Sequence, residues 1–292
     1  MLTVSLVEDD DTYRELMCRY ISGTHGLRLA SAYATAEEAL QRFPREKPDV
    51  ALVDISRGLS ILGVMGPRSR DLLSRVTDAD LSNSAFPFLT SQAIGIGKAT
   101  VRAVRITYVG ELGWELHVPM DQAVTVYETL MAAGKDLGIA NAGHYAINSL
   151  RLEKGYRAWG AELSPDDTPL EAGLAFAIDW AKPFLGREAL EQQKKAGVNR
   201  RLVIFVLADS EPILWGGEPI LRDGQPVGYT TSGAYGHTLG GAVAMGYVNH
   251  PEAISDEFIR AASYEINVSG RKYPAKSFLR PPYDPQRIRI LA

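Results

Sequence analysis

Three acidic side chains near the start of the chain have the types and spacing that cation chemistry requires. Glu8 and Asp9 directly follow the apolar segment LTVSLV, and Asp54 follows the apolar segment VALV. Carboxylate oxygens are preferred ligands of hard cations such as Mg²⁺, and a bound cation helps a phosphoryl group to approach an aspartate. The acids therefore predict a metal site at Glu8 and Asp9 beside a phosphoacceptor at Asp54. The alternative interpretation is that they are simply the solvated ends of strands.

The elements that must bring these acids together alternate between strand and helix. The strands are predicted at LTVSLV, LRLASAYA and PDVALVDI, and the amphipathic helices at TYRELMCRYISG and TAEEALQRF. Thr35, with Glu38 three residues later, is the expected cap of the second helix. A βαβαβ order implies a parallel sheet with right-handed crossovers, and active groups gather at the carboxyl ends of its strands. The three acids are expected at that edge.

This N-terminal segment resembles the first half of a response-regulator receiver domain, because LVEDD, the two helices and PDVALVD occur in the same order. The resemblance implies that Glu8 and Asp9 are the acidic pair and that Asp54 is the phosphoacceptor. After Asp54 the likeness stops, since SRGLSILGVMGPRSR does not supply the later strands with their hydroxyl residue and lysine. We therefore expect a receiver-like half domain over residues 1–54. The corresponding alternative function is a phosphorylation-responsive signalling protein with its input at Asp54.

Composition and charge exclude several classes of protein. Residues 1–54 contain ten acidic and six basic side chains, so they carry the net charge of −4 found for all 292 residues. A pI near 5.8 without a basic cluster argues against nucleic-acid binding. The single cysteine, Cys18, cannot form an intramolecular disulfide framework. With no signal-peptide pattern and no apolar run of about eighteen residues, we expect a cytoplasmic protein without a membrane partner.

The chain after residue 55 predicts an α+β fold in two further parts. LSILGVMGP, ATVRAV and GWELHVP have strand character, and DQAVTVYETLMAAG and AINSLRLEKGY have helix character. Beyond Arg201 the pattern is entirely that of β-strands, with Gly and Pro turns at short intervals, which indicates a small antiparallel barrel or sandwich. We place the mixed α/β segment at residues 55–165, and a linker with the C-terminal β domain at residues 166–292.

Residues 57–285 resemble the folate-binding aminomethyltransferase family, the glycine cleavage T-proteins. The resemblance lies in the ordered motifs ITYVGELGWELHVP, NSLRLEKGYRAWG, DDTPLEAGLAFAI, FLGREAL, TTSGAYGHTLGGAVAMGYV and FLRPPYDP. The branch most similar in these motifs is the C-terminal region of dimethylglycine and sarcosine dehydrogenases. It implies a tetrahydrofolate cofactor and aminomethyl or methylene transfer.

The resemblance also implies which residues would hold the folate. Glu115 matches the glutamate that accepts hydrogen bonds from the pterin edge, as carboxylates do from guanidinium groups. Tyr108 matches a pocket tyrosine that can stack and hydrogen-bond. Trp159 supplies an apolar wall, and Arg280 meets the anionic tail. The further folate-binding candidates are Tyr235 and Tyr283. Glu111 is interpreted as a turn residue.

Two departures from the family pattern limit this interpretation. The family's N-terminal region, with an aspartate implicated in transfer, has no counterpart by motif in residues 1–54, so no catalytic residue is assigned. Ile147 precedes NSLR where the aminomethyltransferases carry an arginine. We expect a tetrahydrofolate-binding, aminomethyltransferase-like one-carbon transfer protein, with an inactive fragment or chimera as the alternative. Its expected partner is an amine donor or a flavin dehydrogenase.

Overall fold

The N-terminal segment folds as the alternating pattern predicts. The computed structural model describes residues 1–292. The elements of the first unit are β1 (Leu2–Val7), α1 (Asp11–Gly23), β2 (Leu27–Tyr33), α2 (Ala36–Glu46) and β3 (Val50–Val53). The strands are parallel in the order β2-β1-β3. Thr35 caps α2 by accepting a hydrogen bond from the backbone nitrogen of Glu38 at 3.2 Å, as expected.

The cores of this unit are small. Val4 and Leu6 of β1 pack with Ile21 of α1, whereas Val7 packs with residues of β2 and α2 on the other face. All four residues of β3 are exposed. Parallel sheets are normally covered on both faces, so β3 is a weakly protected edge.

The second unit is a four-stranded antiparallel sheet on which the first two helices of this part pack, whereas its last helix packs against two strands of the C-terminal barrel. Its elements are β4 (Leu59–Met65), α3 (Ser69–Leu73), β5 (Ser91–Ile96), β6 (Ala99–Val104), β7 (Gly113–Pro119), α4 (Ala123–Ala133) and α5 (His144–Glu153). The strand order is β4-β7-β6-β5. Trp114, Leu116 and Val118 alternate along β7 into a core that includes Val126 and Leu130 of α4. Alternate residues of β7 therefore lie on the opposite face of the sheet.

The C-terminal part closes into an antiparallel barrel, which confirms the first of the two architectures that the turn pattern allowed. After α6 (Arg187–Ala196) come β8 (Arg200–Leu207), β9 (Pro219–Arg222), β10 (Gln225–Gly236), β11 (Gly241–Asn249), α7 (Asp256–Arg260), β12 (Tyr264–Val268), β13 (Arg271–Phe278) and α8 (Ile288–Leu291). The strands close in the order β10-β11-β8-β13-β12-β9. Closure leaves the barrel without an unpaired edge. No helix in the chain combines the length and apolar character that crossing a bilayer requires.

Candidate functional site

The loop after β6, the end of α5 and the segment after β13 meet at one junction. The hydroxyl of Tyr108 donates to the backbone oxygen of Arg157 at 2.9 Å. The rings of Tyr108 and Tyr156 stack with centroids 5.9 Å apart and planes 10° from parallel. Burial raises the pKa of both phenols, so both remain neutral donors at physiological pH. The junction therefore offers a half-buried aromatic surface.

Tyr283 links the third segment to this junction. Its hydroxyl donates to Glu111, and its backbone nitrogen donates to the backbone oxygen of Glu153 at 3.2 Å. Burial, followed by the hydrogen bond to Glu111, raises the pKa of Tyr283 to about 12. The second carboxylate oxygen of Glu111 is buried and has no hydrogen-bond partner. Glu111 is thus more than the turn residue that its position in the sequence indicated.

A buried ion pair lies beneath the same three segments. The ammonium nitrogen of Lys154 donates to Oδ2 of Asp284 at 2.7 Å and to the backbone oxygen of Asp284 at 2.7 Å. The two side chains are only 2% and 6% exposed. Burial alone would raise the pKa of Asp284, but the hydrogen bond and the charge of Lys154 outweigh it, and the net pKa is lowered. A Cβ at Gly110 would lie 3.0 Å from the Lys154 side chain, so glycine lets the loop sit directly on it.

Trp159 is carried by a loop that a second buried pair holds in place. Arg151 donates to Glu162 at 2.7 Å and to the hydroxyl of Ser232 on β10 at 2.7 Å. Glu162 also accepts from the backbone nitrogen of Ala158 at 2.9 Å. Trp159 itself is 74% exposed. The loop is therefore rigidly anchored while its indole is available for contact with a ligand.

The other two predicted residues of the C-terminal half lie on exposed positions. The backbone oxygen of Tyr235 on β10 accepts from the hydroxyl of Ser149 on α5, and its ring meets the edge of His237 with centroids 5.1 Å apart. Arg280 is exposed and forms neither a hydrogen bond nor an ion pair within the chain. Its guanidinium is free for an anion.

Glu115 lies on the face of β7 opposite Trp114. It pairs across the sheet with Gly63 of β4 and Val104 of β6. Its side chain is 35% exposed and accepts no hydrogen bond, and Nε2 of His117 lies 3.9 Å from its Oε2. Its assignment to the folate site stays a prediction, because no contact joins it to Tyr108 or Tyr283.

The structure brings no third candidate ligand to the N-terminal acids, and the metal site predicted at Glu8 and Asp9 stays a prediction. No group of three potential metal ligands occurs in the chain. Asp9 pairs with the guanidinium of Arg57, and Asp54 accepts from the backbone nitrogen of Ser56 at 2.8 Å. Glu8 is buried and accepts from the backbone nitrogen of Asp10 at 2.9 Å. Each carboxylate thus already has a hydrogen-bond or ion-pair partner within the chain.

Sequence reasoning missed the residues that assemble the junction. Arg151 and Lys154 lie in the motif NSLRLEKGYRAWG, but nothing near them in the sequence indicates a partner such as Asp284, 130 positions away from Lys154. The sequence feature that could have identified them is a pair of basic residues on the buried side at the end of a helix. The whole arrangement defines an α+β protein in which a sheet unit and a closed barrel present aromatic and charged groups at their junction, a usual location for a small-molecule site.

Comparison with known proteins identifies the family within this class. The GCVT N-terminal domain model matches residues 2–182, and the glycine cleavage T-protein C-terminal barrel domain model matches residues 200–284. The chain therefore belongs to the glycine cleavage T-protein family, the folate-binding aminomethyltransferases. The first match begins at residue 2 and so includes the N-terminal unit, which corrects the expectation that residues 1–54 have no counterpart in the family. The likeness of this unit to a receiver domain stays a prediction.

Individual relatives agree with this assignment. The chain is 46% identical over 249 residues to mitochondrial sarcosine dehydrogenase of Homo sapiens, a match that covers 84% of this chain and 27% of that protein. It is 39% identical over 210 residues to the aminomethyltransferase of Halothermothrix orenii, covering 71% of this chain and 58% of that protein. The aminomethyltransferase T structure from Bartonella henselae shares the fold, with a TM-score of 0.65, 23% identity, and coverage of 88% of this chain and 68% of that one. The chain thus spans about a quarter of the length of sarcosine dehydrogenase.

Proposed function

We propose that this chain binds tetrahydrofolate at the junction described above and takes part in aminomethyl or methylene transfer. The observation that carries the proposal is the convergence of three family motifs, ITYVGELG, LEKGYRAWG and FLRPPYDP. They are linked by the Tyr108–Arg157 and Tyr283–Glu111 hydrogen bonds and by the Lys154–Asp284 ion pair. Family membership supports a folate-related role, and the convergence indicates where in this chain the folate binds.

The residues present fit the chemistry of a reduced folate. The Tyr108–Tyr156 stack offers a flat apolar surface to a pterin or benzoyl ring. The unpartnered carboxylate oxygen of Glu111 and the free carboxylate of Glu115 can each accept hydrogen bonds from a pterin donor edge. When bound, tetrahydrofolate supplies the nitrogen atoms that carry the one-carbon unit. The chain's own residues bind and orient it.

The amine that delivers the one-carbon unit is proposed to come from a partner. A match confined to 27% of sarcosine dehydrogenase leaves most of that protein without a counterpart in this chain. A flavin dehydrogenase acting on an N-methyl amine would supply the one-carbon unit to the folate held here.

Equilibrium titration with (6S)-tetrahydrofolate tests the binding proposal. Wild-type protein is expected to bind the cofactor with a single site in isothermal calorimetry. Tyr108→Ala and Glu115→Ala should each weaken binding about tenfold or more, because each removes a direct ligand contact. Glu128→Ala, which removes an exposed carboxylate on α4, is the matched control and should bind like wild type. Absence of binding in wild type would refute the proposal, and unchanged affinity in Glu115→Ala would remove that residue from the site.

A further inference from the structure

A groove beside the barrel has a lining whose charge is entirely basic. The cavity is about 980 Å³, within the size range of small-molecule sites, and lies between the ends of β8 and β13, α7 and the segment that follows β13. Half of its lining residues are hydrophobic, including Leu207, Ile259 and Phe278. The charged lining residues are Arg260, Lys276 and Arg280, with no Asp or Glu. We refer to this cavity as the basic groove.

The basic lining is a local excess of positive charge. Residues 55–292 carry no net charge, because the −4 of the chain lies in residues 1–54, so a groove with three cations and no acid differs from the part of the chain around it. A cleft lined by one sign of charge and walled by low-dielectric side chains concentrates the potential and attracts ions of opposite sign. The basic groove is therefore an anion-attracting cleft on a part of the chain that is otherwise neutral.

The cations of the groove differ in how far the protein already satisfies them. Arg260 pairs with Asp256 at 3.2 Å. The ammonium of Lys276 lies 5.2 Å from the ring centre of Phe278 and has no carboxylate partner. Arg280 has no hydrogen-bond or ion-pair partner, although its planar guanidinium suits bidentate contact with a carboxylate or sulfonate. Arg280 is therefore the arginine of the groove whose guanidinium has no counter-ion within the chain.

The apolar part of the lining restricts which class of ligand can use the whole groove. A simple inorganic anion would leave the Phe278 and Leu279 side of the groove without a partner, whereas a neutral hydrophobic molecule would leave Arg280 and Lys276 without a counter-ion. A ligand with both an apolar body and an anionic head uses both parts of the lining. Burial of its body is favourable in proportion to area, and the head gains charge-assisted hydrogen bonds.

We propose that the basic groove binds a small amphipathic anion, with its apolar body against the partly buried Phe278 and Leu279 and its anionic head at Arg280. The anion has two conceivable sources, a separate small carboxylate or the anionic tail of the folate proposed for the junction. Both present the same chemistry to the groove. Binding of a separate carboxylate at Arg280 does not depend on folate, whereas the folate-tail source rests on the proposed function.

Fluorescence titration with 8-anilinonaphthalene-1-sulfonate, an aromatic sulfonate, tests this site. Wild type should show one saturable site under native conditions. Arg280→Gln should weaken binding about tenfold, since it removes the contact to the charged head. The matched control is Arg271→Gln, which removes a cation from the same strand region outside the groove and should leave affinity unchanged. The neutral analogue N-phenyl-1-naphthylamine should bind with an affinity that Arg280→Gln does not alter.

Two results would overturn the proposal. One is equal affinity of the sulfonate for wild type and Arg280→Gln, and the other is an equal loss in Arg280→Gln and Arg271→Gln. Ala208→Trp, which places a bulky side chain on the exposed part of the lining, is a second variant and should also reduce sulfonate binding.

Competition with tetrahydrofolate then distinguishes the two sources. Displacement of the sulfonate, together with weaker folate binding by Arg280→Gln, would identify the folate tail as the occupant. Simultaneous binding of both would identify a separate anion. Sulfonate binding at Arg280 without any folate binding would support the groove while refuting the proposed function.

Discussion

At the scale of single residues, the Lys154–Asp284 pair joins α5 to a segment 130 positions away. Lys154→Met would leave the carboxylate of Asp284 buried without its counter-charge. Removing one partner of a buried pair costs about 3–5 kcal/mol, because the remaining charge stays desolvated. We expect a loss of that size in the free energy of unfolding from urea denaturation.

Lys182→Met is the matched control for this variant. Lys182 pairs with Asp179 at 3.4 Å, but both side chains are largely exposed. Exposed pairs contribute less than about 1 kcal/mol, so the control should denature close to wild type. Equal losses in the two lysine variants would contradict a special role for the buried pair.

Tyr283 gives the chain a predicted sensitivity to alkaline pH. Its pKa is about 12 in the folded protein, because of burial and the hydrogen bond to Glu111, against about 10 in the unfolded chain. Between these values the unfolded state releases the phenolic proton while the folded state keeps it. The free energy of unfolding should therefore fall as the pH rises from about 10 to 12. Tyr247, whose pKa burial also raises to about 12, adds to the same loss.

The variant Tyr283→Phe isolates the contribution of this phenol. Its unfolding free energy should decline less steeply than that of wild type over the same alkaline range, measured by urea denaturation at each pH. Parallel declines in the two proteins would show that Tyr283 does not contribute.

Many of the side-chain contacts at the junction cannot be predicted from the sequence. Alternation along GWELHVP correctly separates Trp114 from Glu115, because the side-chain period of a strand is two. It cannot show that Glu111, in the preceding turn, meets Tyr283 from 172 positions later. Such pairs arise from packing of whole units, which no local pattern encodes.

At the scale of elements, close approach of two backbones explains a glycine in the barrel. A Cβ at Gly228 of β10 would lie 1.9 Å from the backbone oxygen of Tyr247 on β11. Gly228→Ala therefore forces the strands apart and should lower the free energy of unfolding by about 1–3 kcal/mol. Gly95→Ala on β5 is the control, since its Cβ would meet nothing within 4 Å, and it should change stability by less than about 0.5 kcal/mol. Equal stability of the two variants in urea would contradict this.

Elements were the most predictable level of the structure. The spacing of apolar residues and the capping residues were enough to predict α1, α2 and the parallel strands, and the predicted cap at Thr35 is present. The turn pattern after Arg201 indicated β structure but left barrel and sandwich open, because closure depends on pairing between β9 and β12, which are distant in the chain.

At the scale of the whole molecule, the N-terminal unit is distinct from the rest. It holds all of the net charge, and its cores contain three buried residues each, against sixteen in the sheet unit and thirteen in the main barrel core. Its Asp9 pairs with Arg57 in the connecting residues 54–58, and no hydrogen bond or ion pair joins residues 1–53 to residues 59–292. The charge asymmetry in the sequence therefore corresponds to a structural division.

The central claim is that three distant segments form one folate site, and hydrogen–deuterium exchange with and without tetrahydrofolate tests it most directly. Residues 105–112, 154–159 and 280–285 should all exchange more slowly when the cofactor is present, while α1 and α2 of the N-terminal unit stay unchanged. Joint protection is expected because one ligand would cover segments that already contact each other. No protection, or protection confined to other segments, would contradict the claim.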